Sequence, residues 1–130
     1  MEDNRTVLQN LFGRGPLTLS SRDEYELRAD DYVMEMPQSG ERIRGREAMR
    51  AMQQAYPDPP SIEIRRIVGS GDAFVLEAVS RYPPDEDVYF VTDIVEFREG
   101  RIARETRYYA PPFEPPGWRV PCASTSPSWG

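Results

Sequence analysis

DVYFVTDIVEFREGRIARETRYY, residues 87–109, reads as one β-hairpin with acids on a face that should be apolar. Two runs rich in Val, Ile, Phe, Tyr and Thr flank Arg98-Glu99-Gly100. A three-residue hairpin loop ordinarily combines a type I turn with a glycine in the left-handed region, and Gly100 stands where that glycine is needed. Counting outward from this loop sets Phe97 opposite Arg101, Val95 opposite Ala103, Asp93 opposite Glu105, Val91 opposite Arg107 and Tyr89 opposite Tyr109. Side chains alternate across a strand, so all of these pairs share one face. That face carries two carboxylates and an arginine bordered by Val, Phe and Tyr. Facing carboxylates disfavour each other's ionisation. Such a pair belongs either in a polar pocket with a purpose or on a wet surface.

Upstream of the hairpin, the strands extend over about 61–68 and 73–82, joined by Gly69-Ser70-Gly71-Asp72, with Pro83-Pro84-Asp85-Glu86 leading into 88–98. Residues 4–13 place Val7, Leu8, Leu11 and Phe12 on one side of a short helix, capped by Asp3 or Asn4 and stopped by Gly13, Gly15 and Pro16. Ser21-Arg22-Asp23-Glu24 is a capping box opening a second helix to about residue 29. Residues 32–36 form a short strand, turned at Ser39-Gly40 into its partner 41–44. Residues 46–56 form a third helix with Ala48, Met49, Met52, Ala55 and Tyr56 along one stripe. Helices first and long antiparallel strands afterwards make an α+β pattern, with helices on one face of a sheet. One domain over residues 1–118 and a flexible Pro/Ser-rich tail over 119–130 account for the chain, with Phe113 and Trp118 available to dock on the body. Strand 88–98 is apolar in both phases, so both faces of the sheet need cover. Three short helices supply one cover, and a second copy of the chain supplies the other, which predicts a homodimer.

With 130 residues and a formal charge of −6, the chain suits one domain with a real core and repels nucleic acid and anionic membrane. No apolar run reaches the length of a membrane span, and MEDNRTVLQ does not read as a signal peptide. A single cysteine, Cys122, leaves no internal disulfide and fits a reducing cytoplasm. Histidine is absent, and all 16 basic residues are arginine. Histidine-based nucleophilic triads, histidine-ligated metals and lysine Schiff bases are thereby excluded. Acid–base work falls to Asp, Glu, Tyr and Arg. No spacing of a dedicated metal site is present, and no cofactor is expected.

Three segments resemble the nuclear-transport-factor-2-like superfamily and, within it, the SnoaL-like and ketosteroid-isomerase-like group. They are Ala29-Asp30-Asp31-Tyr32-Val33-Met34-Glu35-Met36-Pro37, then Gly45-Arg46-Glu47-Ala48, then Thr92-Asp93-Ile94-Val95-Glu96-Phe97 with Gly100-Arg101-Ile102. The resemblance implies a cone-shaped, curved, antiparallel or mixed β-sheet wrapped around three N-terminal helices, the cystatin-like α+β barrel, with a small-molecule pocket at its open end. Fold alone does not fix function. The ketosteroid isomerase base position falls on Met36 and its helix tyrosine on Leu11, neither of which can serve, whereas its protonated aspartate falls on Asp93. The Asp-Arg-Asp positions of the limonene-type epoxide hydrolases fall on Ala78, Ser80 and Arg107, so that reaction is not expected. Polyketide cyclases of the SnoaL group remain the nearest enzymatic analogy.

Asp93, Glu105 and Arg107 are therefore the candidate catalytic residues. The two acids share a proton as a coupled pair, and Arg107 holds the ionised partner or an anionic substrate group. Ser80, Met34, Met36, Tyr82 and Tyr109 are the candidate substrate-binding residues, with Tyr32 a further donor. The competing reading makes the charged trio an ordinary ion-pair cluster bracing the hairpin, and the methionines simple core filling. The function expected is cofactor-free isomerisation, cyclisation or dehydration of a small organic substrate with an apolar body. The alternative is a ligand-binding module of the same fold without chemistry.

Overall fold

A computed structural model of the chain describes residues 3–12 and 21–125. Helix α1, Asn4–Phe12, starts where the Asp3 carboxylate accepts the Thr6 N–H at 2.8 Å. Its expected glycine–proline stop lies outside the described residues. Helix α2, Arg22–Leu27, is capped as expected, with Ser21 Oγ accepting the Glu24 N–H at 3.2 Å. It ends earlier than the sequence pattern implies, because Arg28 is already extended (φ −82°, ψ 141°) and opens strand β1, Arg28–Met36. Strand β2, Glu41–Arg44, returns beside β1. Gly45, at φ 90°, then swings the chain into α3, Arg46–Gln54. The long strands β3 (Ser61–Ser70), β4 (Ala73–Tyr82), β5 (Asp87–Arg98) and β6 (Arg101–Ala110) follow.

The strands form one curved, unclosed sheet in the order β2-β1-β6-β5-β4-β3. Every pairing is antiparallel except β1 with β6, which run parallel. The fold is the expected α+β cone, open at its edges rather than closed. Leu8 and Phe12 of α1 and Met49 of α3 pack against Tyr32, Met34, Phe74, Leu76, Val95, Phe97 and Ile102 on the inner face. Among the described residues no helix is long and apolar enough to cross a membrane.

The β5–β6 register differs from the expected one. The loop is two residues long, with Glu99 at φ 52° and Gly100 at φ 80°, and Arg98 pairs with Arg101. Both central residues are left-handed, as in a type I′ turn, whose twist matches that of the flanking strands. This turn alone would invert the faces. A bulge between the Phe97–Ile102 and Glu96–Arg104 pairs adds a residue on β6 and restores them. Asp93 consequently faces Arg107, and Glu105 faces Val95. The acids are diagonal neighbours on the same inner face, not directly opposed.

Beyond β6 the chain is irregular until a 3₁₀ helix, Gly117–Cys122, which straddles the expected boundary at residue 118. Phe113 and Trp118 are largely exposed and do not dock on the body. The tail from residue 126 onward lies outside the described residues.

Candidate functional site

Alternation along β5 and β6 turns Asp93, Glu105 and Arg107 toward the helices, and the α2–β1 junction turns Glu24 and Arg28 to meet them. Asp93 and Glu105 are only 8% and 1% exposed, and Arg28 and Glu24 are also buried. Glu105 is the hub. It accepts hydrogen bonds from Tyr32 Oη at 2.9 Å, Arg107 Nη2 at 2.8 Å and Arg107 Nε at 3.0 Å, with Arg28 at 3.4 Å. Arg28 Nη2 also donates to Glu24 at 2.6 Å, and Gln53 Nε2 of α3 donates to the same Glu24 oxygen at 2.7 Å. Asp93 receives less: Arg107 Nε approaches its Oδ2 at 3.4 Å, and its Oδ1 is buried without a donor.

This imbalance decides where the proton sits. Three acids, Glu24, Asp93 and Glu105, share the buried cluster with two arginines, Arg28 and Arg107. An unmatched third negative charge in a water-poor interior is costly. Burial, followed by the Glu105 charge, pushes the Asp93 carboxyl well above the usual carboxylate range. Burial acts on Glu105 in the same sense, but Arg107 and then Arg28 outweigh it, and its pKa ends below the ordinary value. The coupled pair therefore holds one proton, and it resides on Asp93. Burial and the Glu105 charge also keep the Tyr32 phenol neutral, which suits its role as a donor.

A cavity of about 60 Å³ opens against this cluster. Its apolar wall is Phe12, Ile62, Ile64, Leu76, Ala78 and Val91, and Glu24, Gln53, Ser80, Asp93, Arg107 and Tyr109 supply the polar groups. At ~10–15 Å³ for each water-sized group, it accommodates about four to six of them.

Of the expected catalytic residues, Asp93 and Arg107 line the cavity, and Glu105 stands behind them. Of the expected substrate-binding residues, Ser80 and Tyr109 line it. Met34 does not: it is fully buried in the core. Met36 packs against the edge of that core and is likewise off the cavity wall. Tyr82 stands outside the wall, edge-on to Tyr89 at 5.6 Å, and burial raises its pKa. Ala78, Ser80 and Arg107, the positions matched to the epoxide hydrolase constellation, do meet at this cavity, with side chains of the wrong type for that reaction. Arg28, Glu24 and Gln53 escaped the sequence reading. The capping box had accounted for Glu24 as a helix-end residue, and nothing local links Arg28 to a partner 77 residues away. A polar residue on the apolar stripe of α3, Gln53 beside Met49 and Met52, was the available signal.

Among the described residues no group of acids and cysteine is arranged to hold a metal ion.

The SnoaL-like domain family model matches residues 25–105. An NTF-2-like protein of unknown function from Burkholderia xenovorans LB400 is 32% identical, with 95% of this chain and 94% of that one covered and a TM-score of 0.79. A presumptive ketosteroid isomerase from Kribbella flavida DSM 17836 is 23% identical over 96% and 90% of the two chains, with a TM-score of 0.81. An LEH-like epoxide hydrolase from M. tuberculosis is 21% identical over 82% and 79%, with a TM-score of 0.63. No curated protein matches the sequence.

Proposed function

The chain belongs to the SnoaL-like domain family, and we propose that its cavity is a small-molecule site in which Asp93 works as a neutral acid on a carbonyl-bearing substrate. The observation that carries this reading is the uneven sharing of donors between the two central acids. Glu105 is held ionised by Arg107, Arg28 and Tyr32, so the proton of the pair stays on Asp93, where Glu105 accepts it and a ligand carbonyl in the cavity competes for it. A neutral carboxyl donates a hydrogen bond to a carbonyl oxygen and stabilises the enol or enolate that forms when a neighbouring C–H gives its proton to Glu105, the ionised acid of the pair. That is the chemistry of an isomerase, a cyclase or a dehydratase. The reacting end of the substrate enters the cavity, and its apolar body extends past Tyr109 at the wall. The structural likeness to a presumptive ketosteroid isomerase supports this class of reaction, although the base position of that family is Met36 here.

One observation favours the second reading, a binding module without chemistry. Glu105 is so fully engaged by its donors that it is a poor proton acceptor, and Met36 supplies none. A thermal-shift screen of enones, hydroxyketones, aromatic polyketides and terpenoids on wild type and Asp93→Asn separates the two. A stabilising compound that wild type converts and the variant converts at least tenfold more slowly, about 1.4 kcal/mol in barrier, supports the acid. Equal turnover by both proteins sinks it. A compound bound by both and converted by neither leaves the binding module.

We further propose that the outer face of the sheet joins two copies of the chain, and that the protein works in the cytoplasm. The apolar outer positions Val75, Val88, Phe90 and Ile94 support the first proposal, and the single exposed Cys122 is consistent with the second.

A further inference from the structure

Gln53 is 5% exposed, lies on the inner side of α3 and lines the cavity. Glu24, paired with Arg28, can only accept hydrogen bonds, so the 2.7 Å contact with it must be made by the Gln53 amide nitrogen. This fixes the amide orientation without appeal to hydrogen positions. The amide oxygen, Oε1, is then left buried with no donor among the described residues. A buried carbonyl oxygen without a partner is unfavourable, and a ligand N–H or O–H relieves it. Phe12, Ile62, Ile64, Leu76, Ala78 and Val91 have no donors in their side chains, and the donors elsewhere on the wall, Ser80, Arg107 and Tyr109, make no hydrogen bond to this oxygen. Asp93 lines the same cavity, and its Oδ1 has no hydrogen-bond partner among the described residues.

We propose that Gln53 is a specificity determinant which reads a hydrogen-bond donor on the ligand, so that the cavity selects neutral groups carrying both a carbonyl oxygen for Asp93 and an N–H or O–H for Gln53. Carboxamides, lactams and α-hydroxyketones are the classes that fit. Simple ketones leave Gln53 Oε1 unpaired, and carboxylate anions present no donor to it. This rests on the proposed role of Asp93 and adds a requirement that Asp93 does not impose. Rejection of an analogue that lacks the donor is sharp, because the penalty falls on a protein group already buried. Glu24 and Arg28 act here as positioning residues: they engage the Gln53 nitrogen and so leave its oxygen as the amide group still without a partner.

Acetamide and acetone provide the test, since they have the same number of heavy atoms and nearly the same shape, and only acetamide has N–H donors. Both are titrated into the full chain and followed by amide NMR shifts at Ala78, Ser80 and Val91. Wild type is expected to bind acetamide on the order of tenfold more tightly than acetone. Gln53→Met removes both amide functions, and Gln53→Lys keeps a donor toward Glu24 but offers no acceptor; each should abolish the preference. If wild type binds the two equally, or if either folded variant keeps the preference, the Gln53 inference is overturned and the Asp93 reading stands. If neither compound shifts the cavity amides, both readings fall. Should both variants fail to fold, the wild-type comparison decides alone.

Discussion

Asp93 shows how a residue's chemistry is set by neighbours far away in sequence. Its position on an apolar strand made it a candidate from the sequence, and period-two alternation placed Glu105 and Arg107 beside it. What remained hidden was which acid keeps the proton. That depends on Arg28 and Tyr32, which reach Glu105 from β1, and no local pattern encodes such an encounter. The direction of the Asp93 shift has a consequence for stability. In the unfolded chain an aspartate releases its proton near pH 3.9, whereas folded Asp93 retains it to higher pH. Unfolding therefore releases a proton above about pH 4, and stability contributed by the protonated acid falls as pH rises toward the folded pKa. Glu105 acts in the opposite sense: its folded pKa is depressed, so its contribution is present above about pH 4.3 and is lost as pH falls toward the folded value. Asp93→Asn mimics the neutral acid and leaves Glu105 in place. Its melting temperature relative to wild type should climb as pH rises from about 4 toward the folded pKa, by at most about 1.4 kcal/mol per pH unit in stability. A difference that stays flat across this range would mean that Asp93 is an ordinary ionised carboxylate. A constant offset from the exchanged amide does not affect the slope.

The β5–β6 hairpin shows what an element's pattern conveys and what it conceals. Alternation of Val91, Asp93, Val95 and Phe97 correctly identified the inner face, because a displacement by an even number of residues preserves faces. The pairing itself was not legible. Arg98-Glu99-Gly100 fits a three-residue loop as readily as it contains a two-residue one. The choice is made by strand twist and by the bulge opposite Glu96, both properties of the assembled sheet. The end of α2 was misread for a similar reason. Helix capping marks its start, but Arg28 is drawn into β1 by pairing with Ile102 and by its buried ion pairs. The turn carries one local conflict: Glu99 adopts φ 52°, a conformation that favours glycine and asparagine. Its side chain is exposed and contributes nothing to the cavity. Glu99→Asn should therefore raise the unfolding free energy by ~0.5–1 kcal/mol with ligand binding unchanged, as read by urea denaturation. A destabilised variant would show that the turn is not of type I′.

At the scale of the molecule, the sheet has two faces with different fates. The inner face receives Leu8, Phe12 and Met49 from the helices and becomes the core and the cavity. The outer face carries half-buried Val75, Val88 and Ile94 along β4 and β5, and the helices pack on the other side. Its margins are guarded. Edge strand β2 is short and rich in Arg and Glu, and edge strand β3 is bulged beside Ile64 and bears Glu63, Arg65 and Arg66. Charged, irregular edges discourage strand-to-strand association. The proposed joining of two copies through the outer face would cover these side chains and leave both cavities open on the opposite side. The two-phase apolar pattern of residues 88–98 raised this expectation from sequence. The expected docking of Phe113 and Trp118 on the body did not follow, since both are largely exposed. Sedimentation at micromolar concentration should give twice the monomer mass. Ile94→Arg, which buries a guanidinium at the centre of the proposed contact without touching the inner face, should give a folded monomer whose cavity still binds its ligand. A wild-type chain that sediments as a monomer would overturn the dimer. A dimer that survives Ile94→Arg would move the contact off this face.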